Sequence, residues 1–432
     1  MAFDSPVDRS TPPETKPFGH LDIIPQMVEH LSNGINLHFI ECGTQAVNRI
    51  VILWKLGKGD VPNPFAVKLL PPLMLEGADN LSGAEIADAV DYEGAWLNPR
   101  VEDYFTGFEL ISLNAKTPIL LNLLRKIITQ PTFPNASFEA LKAKEKSRLR
   151  LSLGQTPYIA AKALSKAIYG SNHPYQNNTT IENIETLSRE DIIASWEKMV
   201  ATSSIDIYVG GLPDDQVKAA LRQFANELRQ TSVQTAERVY RQSSPDQPGE
   251  ITIKVDGAKQ ASVALGIPTI DRTHPDYIPL RMAVVALGGY FASRLMTNIR
   301  EEKGLTYGIS ASLYGIRHDA FVSINADCDP RYVDEVIRNI HLEINKLAAE
   351  PMDDLELTRL KMYLGTVLAS TLDSPFAVAD NYIIQLTLGV PSDYFENQQT
   401  ALEHLNPETI MAMTKKYLLP LSKATTVVAL PG

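Results

Sequence analysis

Val322-Ser-Ile-Asn-Ala-Asp-Cys328 alternates apolar with polar residues, and Asp329-Pro330 follows at once. Alternation with a period of two marks a strand that buries one face. A side chain that can accept from first-turn amides, followed by a proline with no N–H to leave unmet, starts a helix. The next apolar positions, Val333, Val336, Ile337, Ile340 and Ile344, fall on one helical face. The same order stands much earlier in the chain. Ser112-Leu-Asn-Ala115 leads to Thr117-Pro118, then to Leu120, Leu121, Leu124, Ile127 and Ile128.

The correspondence continues at a nearly constant offset. Glu139-Ala-Leu-Lys-Ala-Lys144 resembles Glu356-Leu-Thr-Arg-Leu-Lys361, and Thr156-Pro157 matches Ser374-Pro375. Leu187-Ser-Arg-Glu-Asp-Ile192 matches Leu405-Asn-Pro-Glu-Thr-Ile410, each ahead of a helix and an apolar strand, Ile205 to Val209 and Thr425 to Leu430. Chance does not hold an offset that long, so the chain reads as a duplication. Two copies are too few for a solenoid. Residues 20–229 and 251–432 are therefore expected as two α/β halves. A flexible tail at 1–19 precedes them, and a polar linker at 230–250, ending in Ser-Ser-Pro-Asp-Gln-Pro-Gly, joins them. The cleft between such halves is the default binding site.

Composition narrows the class. With 432 residues the chain exceeds one ordinary core. It is 44% hydrophobic and 21% charged, with a net charge of −11 and no basic block. A phosphate footprint is absent, which argues against nucleic acid. Cys42 and Cys328 cannot make a disulfide framework, which points to a reducing compartment. No stretch reaches the roughly 20 apolar residues of a membrane span, and the N-terminus lacks an apolar signal core. A cytoplasmic protein is the expectation.

Ser82-Gly-Ala-Glu85 is a capping box opening a helix through Val90, and Glu93-Gly-Ala-Trp-Leu-Asn98 turns into a strand. Together with Leu73-Met-Leu-Glu-Gly77 and Asn172-His-Pro-Tyr175, this order resembles the first half of the pitrilysin-type (M16) metallopeptidases. Gly288-Gly-Tyr-Phe-Ala-Ser-Arg-Leu295 and Asn298-Ile-Arg-Glu-Glu-Lys-Gly-Leu-Thr-Tyr-Gly308 resemble the most recognisable part of their second half. The resemblance runs from about His20 to the C-terminus. It implies an α+β fold: two homologous halves, each an antiparallel-rich sheet with helices on it, facing each other as a clamshell.

In active members, two histidines at i and i+4 of a His-x-x-Glu-His helix bind zinc, and the glutamate serves as general base. Alignment on the Gly77 turn puts those slots at Lys68, Pro71 and Pro72. A lysine brings positive charge to a cation site, proline has no donor atom, and two prolines are expected to break the helix. The third ligand falls near Glu145 to Ser152, and no acidic residue lies between Lys146 and Ile181. The degenerate slots imply that this chain carries no zinc. Among the eight histidines no two stand at i, i+3 or i, i+4. Each reads as a lone surface residue, with His173-Pro174 marking a loop.

The second-half motif is kept. On residue type alone, Arg300 belongs to a solvated helix end and Tyr307 to a strand. The resemblance gives them another role, that of the pair reaching from the second half toward the zinc site to grip a peptide. Small members of the family divide labour between a chain with His-x-x-Glu-His and a chain with the Arg/Tyr pair. The expectation is a substrate-binding, non-catalytic subunit of a heterodimeric zinc metallopeptidase, inactive alone, with zinc in the partner. A scaffold protein or a free-standing peptide-binding protein, monomer or homodimer, stays open beside it.

Overall fold

The computed structural model describes residues 10, 19–171, 173, 176, 179–228, 248–419 and 421–432. The rest of the expected tail, most of the expected linker, and Asn172, Pro174 and Tyr175 lie outside the described residues.

The first half runs β1 (Met27–His30), β2 (Asn36–Glu41), β3 (Val47–Trp54), α1 (Pro64–Met74), and a ribbon of β4 (Gly77–Ala78) and β5 (Leu81–Ser82). It continues with α2 (Gly83–Tyr92), β6 (Trp96–Val101), β7 (Thr106–Leu113), α3 (Thr117–Thr129), α4 (Asn135–Leu153) and α5 (Thr156–Tyr169). After α6 (Ile181–Glu185) and α7 (Arg189–Thr202), β8 (Ile205–Gly211) and α8 (Asp215–Leu228) finish it. The second half runs β9 (Glu250–Val255), β10 (Ala261–Thr269), α9 (Tyr277–Gly288), β11 (Thr306–Gly315), β12 (Ala320–Cys328) and α10 (Val333–Ala349). Then come α11 (Asp354–Ser370), α12 (Pro375–Leu388), α13 (Tyr394–Glu403), α14 (Pro407–Met413) and β13 (Thr425–Pro431).

The duplication is written into the sheets. The first has the order β1-β2-β8-β3-β7-β6 and the second β9-β13-β10-β12-β11, read from its parallel edge. In each, one pair is parallel, β2 with β8 and β9 with β13, and the other pairs are antiparallel. The first sheet adds only β1 at its edge.

Alternation decides which face each strand buries. In β12, Val322, Ile324, Ala326 and Cys328 enter the core under α9 and α10, while Ser323, Asn325 and Asp327 face the cleft. Burial pushes the Cys328 thiol up to about 11. The helix starts follow the sequence with one shift. Ser82 and Glu85 close the capping box on α2, and Asp329 accepts the Arg331 N–H. Thr117, expected as a cap, is instead the first residue of α3. Its hydroxyl donates to the Leu113 carbonyl at 3.0 Å and meets Ser112 Oγ at 2.9 Å, so it serves the strand end.

Each sheet has a second apolar face, covered by a helix of the opposite half. Helix α5 lays Ala160, Leu164 and Ile168 on Ala264, Phe321, Val427 and Ala429 of the second sheet. Helix α12 lays Val378, Ala379 and Ile383 on Ile40, Val51, Leu53 and Tyr208 of the first. These are the helices opened by the matched Thr156-Pro157 and Ser374-Pro375. Close approach is possible because Gly210 and Gly266 stand under them. A Cβ on Gly210 would meet the Pro375 carbonyl at 2.7 Å, and one on Gly266 would meet Leu164 Cδ1 at 2.7 Å.

Candidate functional site

A cleft of about 1070 Å³ opens between the halves. One wall is α1 and α5, with Phe65, Lys68, Ala161 and Ser165. The other is the polar face of the second sheet, with Ser310, Ser312, Ser323, Asn325 and Asp327. Its floor is hydrogen-bonded: Ser262 Oγ lies 2.5 Å from Asp327 Oδ1 and 2.9 Å from Thr156 Oγ1, across the two halves.

Lys68, Pro71 and Pro72 all lie on α1, which is continuous from Pro64 to Met74. The expected break does not occur. Two internal prolines cost about 3 kcal/mol each in a helix interior. Against this, Phe65, Val67, Leu69, Leu70, Leu73 and Met74 are buried on the same helix, each gaining roughly 1.5–3 kcal/mol. The prolines also sit in the last turns, and Asn63 caps the start by accepting the Phe65 N–H at 3.0 Å.

The ammonium of Lys68 lies 2.6 Å from Glu145 Oε2 on α4, and 4.9 Å from the centre of the Phe65 ring. Glu145 is at the near edge of the window where the resemblance puts a third ligand. That slot is thus filled by a carboxylate, contrary to the expectation of three vacant slots, but its counterion is a lysine. A zinc ion does not fit this donor set. The Lys68 side chain is engaged by Glu145, the side chains of Pro71 and Pro72 offer no donor atom, and one carboxylate remains. Among the described residues no cluster of three His, Cys, Asp or Glu could hold a metal.

His173, expected on the surface, is buried instead. It faces Asp319 at 3.2 Å and stacks on Tyr169 at 4.9 Å, joining the first half to the second. Burial drives the Tyr169 and Tyr104 phenols far above their usual range, and Tyr104 Oη accepts the Arg317 N–H at 3.0 Å. His38 is buried too, between Gln26 Oε1 and Asp206 Oδ1, each at 3.1 Å. Nothing in their sequence context separated these two from the exposed histidines, because the partners are distant in the chain.

Neither Arg300 nor Tyr307 lines the cleft, but Met296, four positions before Arg300, and Gly308, next after Tyr307, do. Two irregularities aim them. Arg300 lies on a π-helical turn, Met296–Glu302, whose Asn298 donates to the buried Glu343 at 2.9 Å. Tyr307 lies in a β-bulge between Thr306 and Ile309, pinned by Thr306 Oγ1 donating to the Asp327 carbonyl. Tyr307 is consequently 91% exposed. The Arg300 guanidinium stacks on the Phe291 ring at 4.6 Å. Among the described residues, neither side chain has a hydrogen-bond or ion-pair partner. Phe291 itself, 61% exposed, carried no signal in the sequence beyond its place in the second-half motif.

A family model described as the peptidase M16 inactive domain matches residues 186–364, a span that includes Arg300 and Tyr307. That match covers less than half of the chain and makes this part similar to the M16 inactive domain. The chain is 20% identical over 302 residues to an uncharacterized zinc protease of Streptomyces coelicolor, a match covering 68% of this chain and 65% of that one. It is 24% identical over 246 residues to the non-peptidase homolog YmxG of Helicobacter pylori, covering 56% of each. The match thus spans less than two thirds of either relative's length. The crystal structure of a peptidase M16 inactive domain from Pseudomonas fluorescens superposes with a TM-score of 0.82 at 21% identity, covering 94% of this chain and 98% of that one. At that identity the likeness establishes the fold. No described helix is long and apolar enough to cross a membrane.

Proposed function

We propose that this chain is a non-catalytic, peptide-binding subunit of a two-chain M16-type zinc metallopeptidase, completing the chamber of a partner that carries His-x-x-Glu-His. The observation that carries this reading is the pair Arg300 and Tyr307, close in sequence to residues that line the cleft. Among the described residues Arg300 is a guanidinium with no carboxylate partner, and Tyr307 is an exposed phenol, each held by a local distortion of its element. Such distortions are retained where a side chain must be aimed. The Arg300 guanidinium donates to a peptide carbonyl and stabilises charge developing on it, and the Tyr307 O–H donates to the same group. Metal chemistry belongs to the partner, because Lys68, Pro71 and Pro72 cannot supply it.

The first step is affinity capture of the chain from its native cell, to identify a stoichiometric companion with the zinc motif. In the reconstituted complex, Arg300→Ala is expected to lower the peptide-cleavage rate by about 10²–10³, the usual loss for one such donor. An unchanged rate overturns the gripping role. A complex without any zinc-motif chain overturns the subunit reading and leaves the scaffold one.

A further inference from the structure

Outside the cleft, and sharing no residue with it, a second cavity of about 250 Å³ lies among α9, α11, α12 and α13. Most of its wall is apolar, including Met282, Leu364, Leu368 and Phe395. Two guanidinium groups, Arg272 and Arg281, line it as well. Among the described residues neither has a carboxylate partner. Asp271, next in the chain, is engaged by the N–H and hydroxyl of Thr273.

The donors point to what is missing. Arg272 Nε is buried with no hydrogen-bond acceptor, and its guanidinium lies 5.4 Å from the centre of the Tyr277 ring. Tyr394 is 8% exposed, and its hydroxyl is likewise buried without a partner. Arg281 Nη1 donates to Gln398 Oε1 at 2.5 Å, which leaves the other donors of its fork. Buried N–H and O–H groups without acceptors are costly, and they are rare in a folded protein. An anion with two acceptor oxygens answers them, and a planar carboxylate matches the guanidinium fork. The apolar wall then requires a hydrocarbon body on that anion.

We infer that this cavity binds a small monocarboxylate with an apolar tail. Arg272 and Arg281 hold the carboxylate, Tyr394 donates its hydroxyl to it, and the tail lies against Leu364, Leu368 and Phe395. The volume suits an acid of about eight carbons. It exceeds the roughly 150 Å³ that admits benzene and falls below the range of about 300–1,000 Å³ typical of drug-sized ligands. Asn381, Ile384 and Gln385 of α12 also line the cavity, so the bound acid bears on the helix that covers the first sheet.

The test is calorimetric titration of the full chain with octanoate and, in parallel, with octanamide, its neutral counterpart of nearly equal shape. One octanoate per chain, bound about tenfold or more tightly than octanamide, is expected from loss of the charge-assisted bonds. Arg272→Gln and Arg281→Gln should each weaken octanoate by a similar factor while leaving octanamide binding unchanged. Equal binding of the two ligands, no octanoate binding at millimolar concentration, or full octanoate binding by folded Arg281→Gln protein would each overturn the assignment. The comparison of the two ligands uses the unaltered chain, so an unstable variant cannot mask the answer.

Discussion

The ammonium of Lys68, 2.6 Å from Glu145, sits where the resemblance places the first metal-binding side chain beside the last. A single positive charge on a side chain thus does part of the electrostatic work of a divalent ion, holding a carboxylate of α4 against α1. Lys68 is 42% exposed, so the pair contributes little to stability, about 1 kcal/mol or less. The geometry has a sharper consequence. Because α1 is continuous, histidines at positions 68 and 72 would lie one turn apart on one face, with Glu145 in reach. The triple variant Lys68→His, Pro71→Glu, Pro72→His is therefore expected to bind one zinc per chain, as measured by elemental analysis after dialysis. Adding Glu145→Gln should remove most of that zinc. If the triple variant stays metal-free while folded, Glu145 is not in ligand position. That the slots at 68, 71 and 72 hold no histidine or glutamate was legible from the residues themselves. The Glu145 partnership was not, because the two residues are 77 positions apart.

At the scale of elements, the exchanged helices α5 and α12 are what make one molecule of two halves. Their apolar residues, such as Leu164 and Ile383, look like ordinary core in the sequence, and nothing local says which sheet they cover. Gly210 and Gly266 mark the crossing points, and the two differ in what lies above them. A Cβ on Gly210 meets backbone, the Pro375 carbonyl, whereas one on Gly266 meets the end of a leucine side chain. Backbone gives way less easily than a rotamer. Gly210→Ala is expected to destabilise the protein by about 1–3 kcal/mol, the usual cost of overpacking, and Gly266→Ala by clearly less. Denaturant midpoints of the two variants check the order, and equal losses would show that α12 can lift off the sheet without strain. By contrast, the strand and helix order was legible, because alternation, apolar spacing and the Asp329-Pro330 start are properties of neighbouring residues. Where the reading slipped, at Thr117, the residue is already helical and its hydroxyl donates back to the Leu113 carbonyl at the strand end.

For the molecule as a whole, the halves are also tied by a charge cluster. Arg49 on β3, 10% exposed, bonds Glu109 at 2.7 Å in its own half, and Asp380 at 2.9 Å and the Phe376 carbonyl at 3.0 Å on α12. Removing it leaves two carboxylates facing each other. Breaking a buried pair costs about 3–5 kcal/mol. Arg49→Met should fall below that range, at about 2 kcal/mol, because Asp380 is 44% exposed and Arg100 still lies 3.3 Å from Glu109 and 4.0 Å from Asp380. Unfolding in urea measures the loss, and a loss under about 1 kcal/mol would show that α12 is held by its apolar face alone. The sequence made legible the duplication, the α+β class, the Lys68, Pro71 and Pro72 substitutions and the Arg300/Tyr307 motif. The duplication rests on matched segments at a nearly constant long offset, and the α+β class and the site residues on resemblance to a family. Only the tertiary structure decided that the halves exchange helices, that α1 survives its prolines, that Glu145 meets Lys68, and that His173 is buried against Asp319. It alone brought Arg272, Arg281 and Tyr394 around one cavity. These outcomes depend on groups far apart in the chain, and the burial that sets their energies exists only once the sheets and helices have packed.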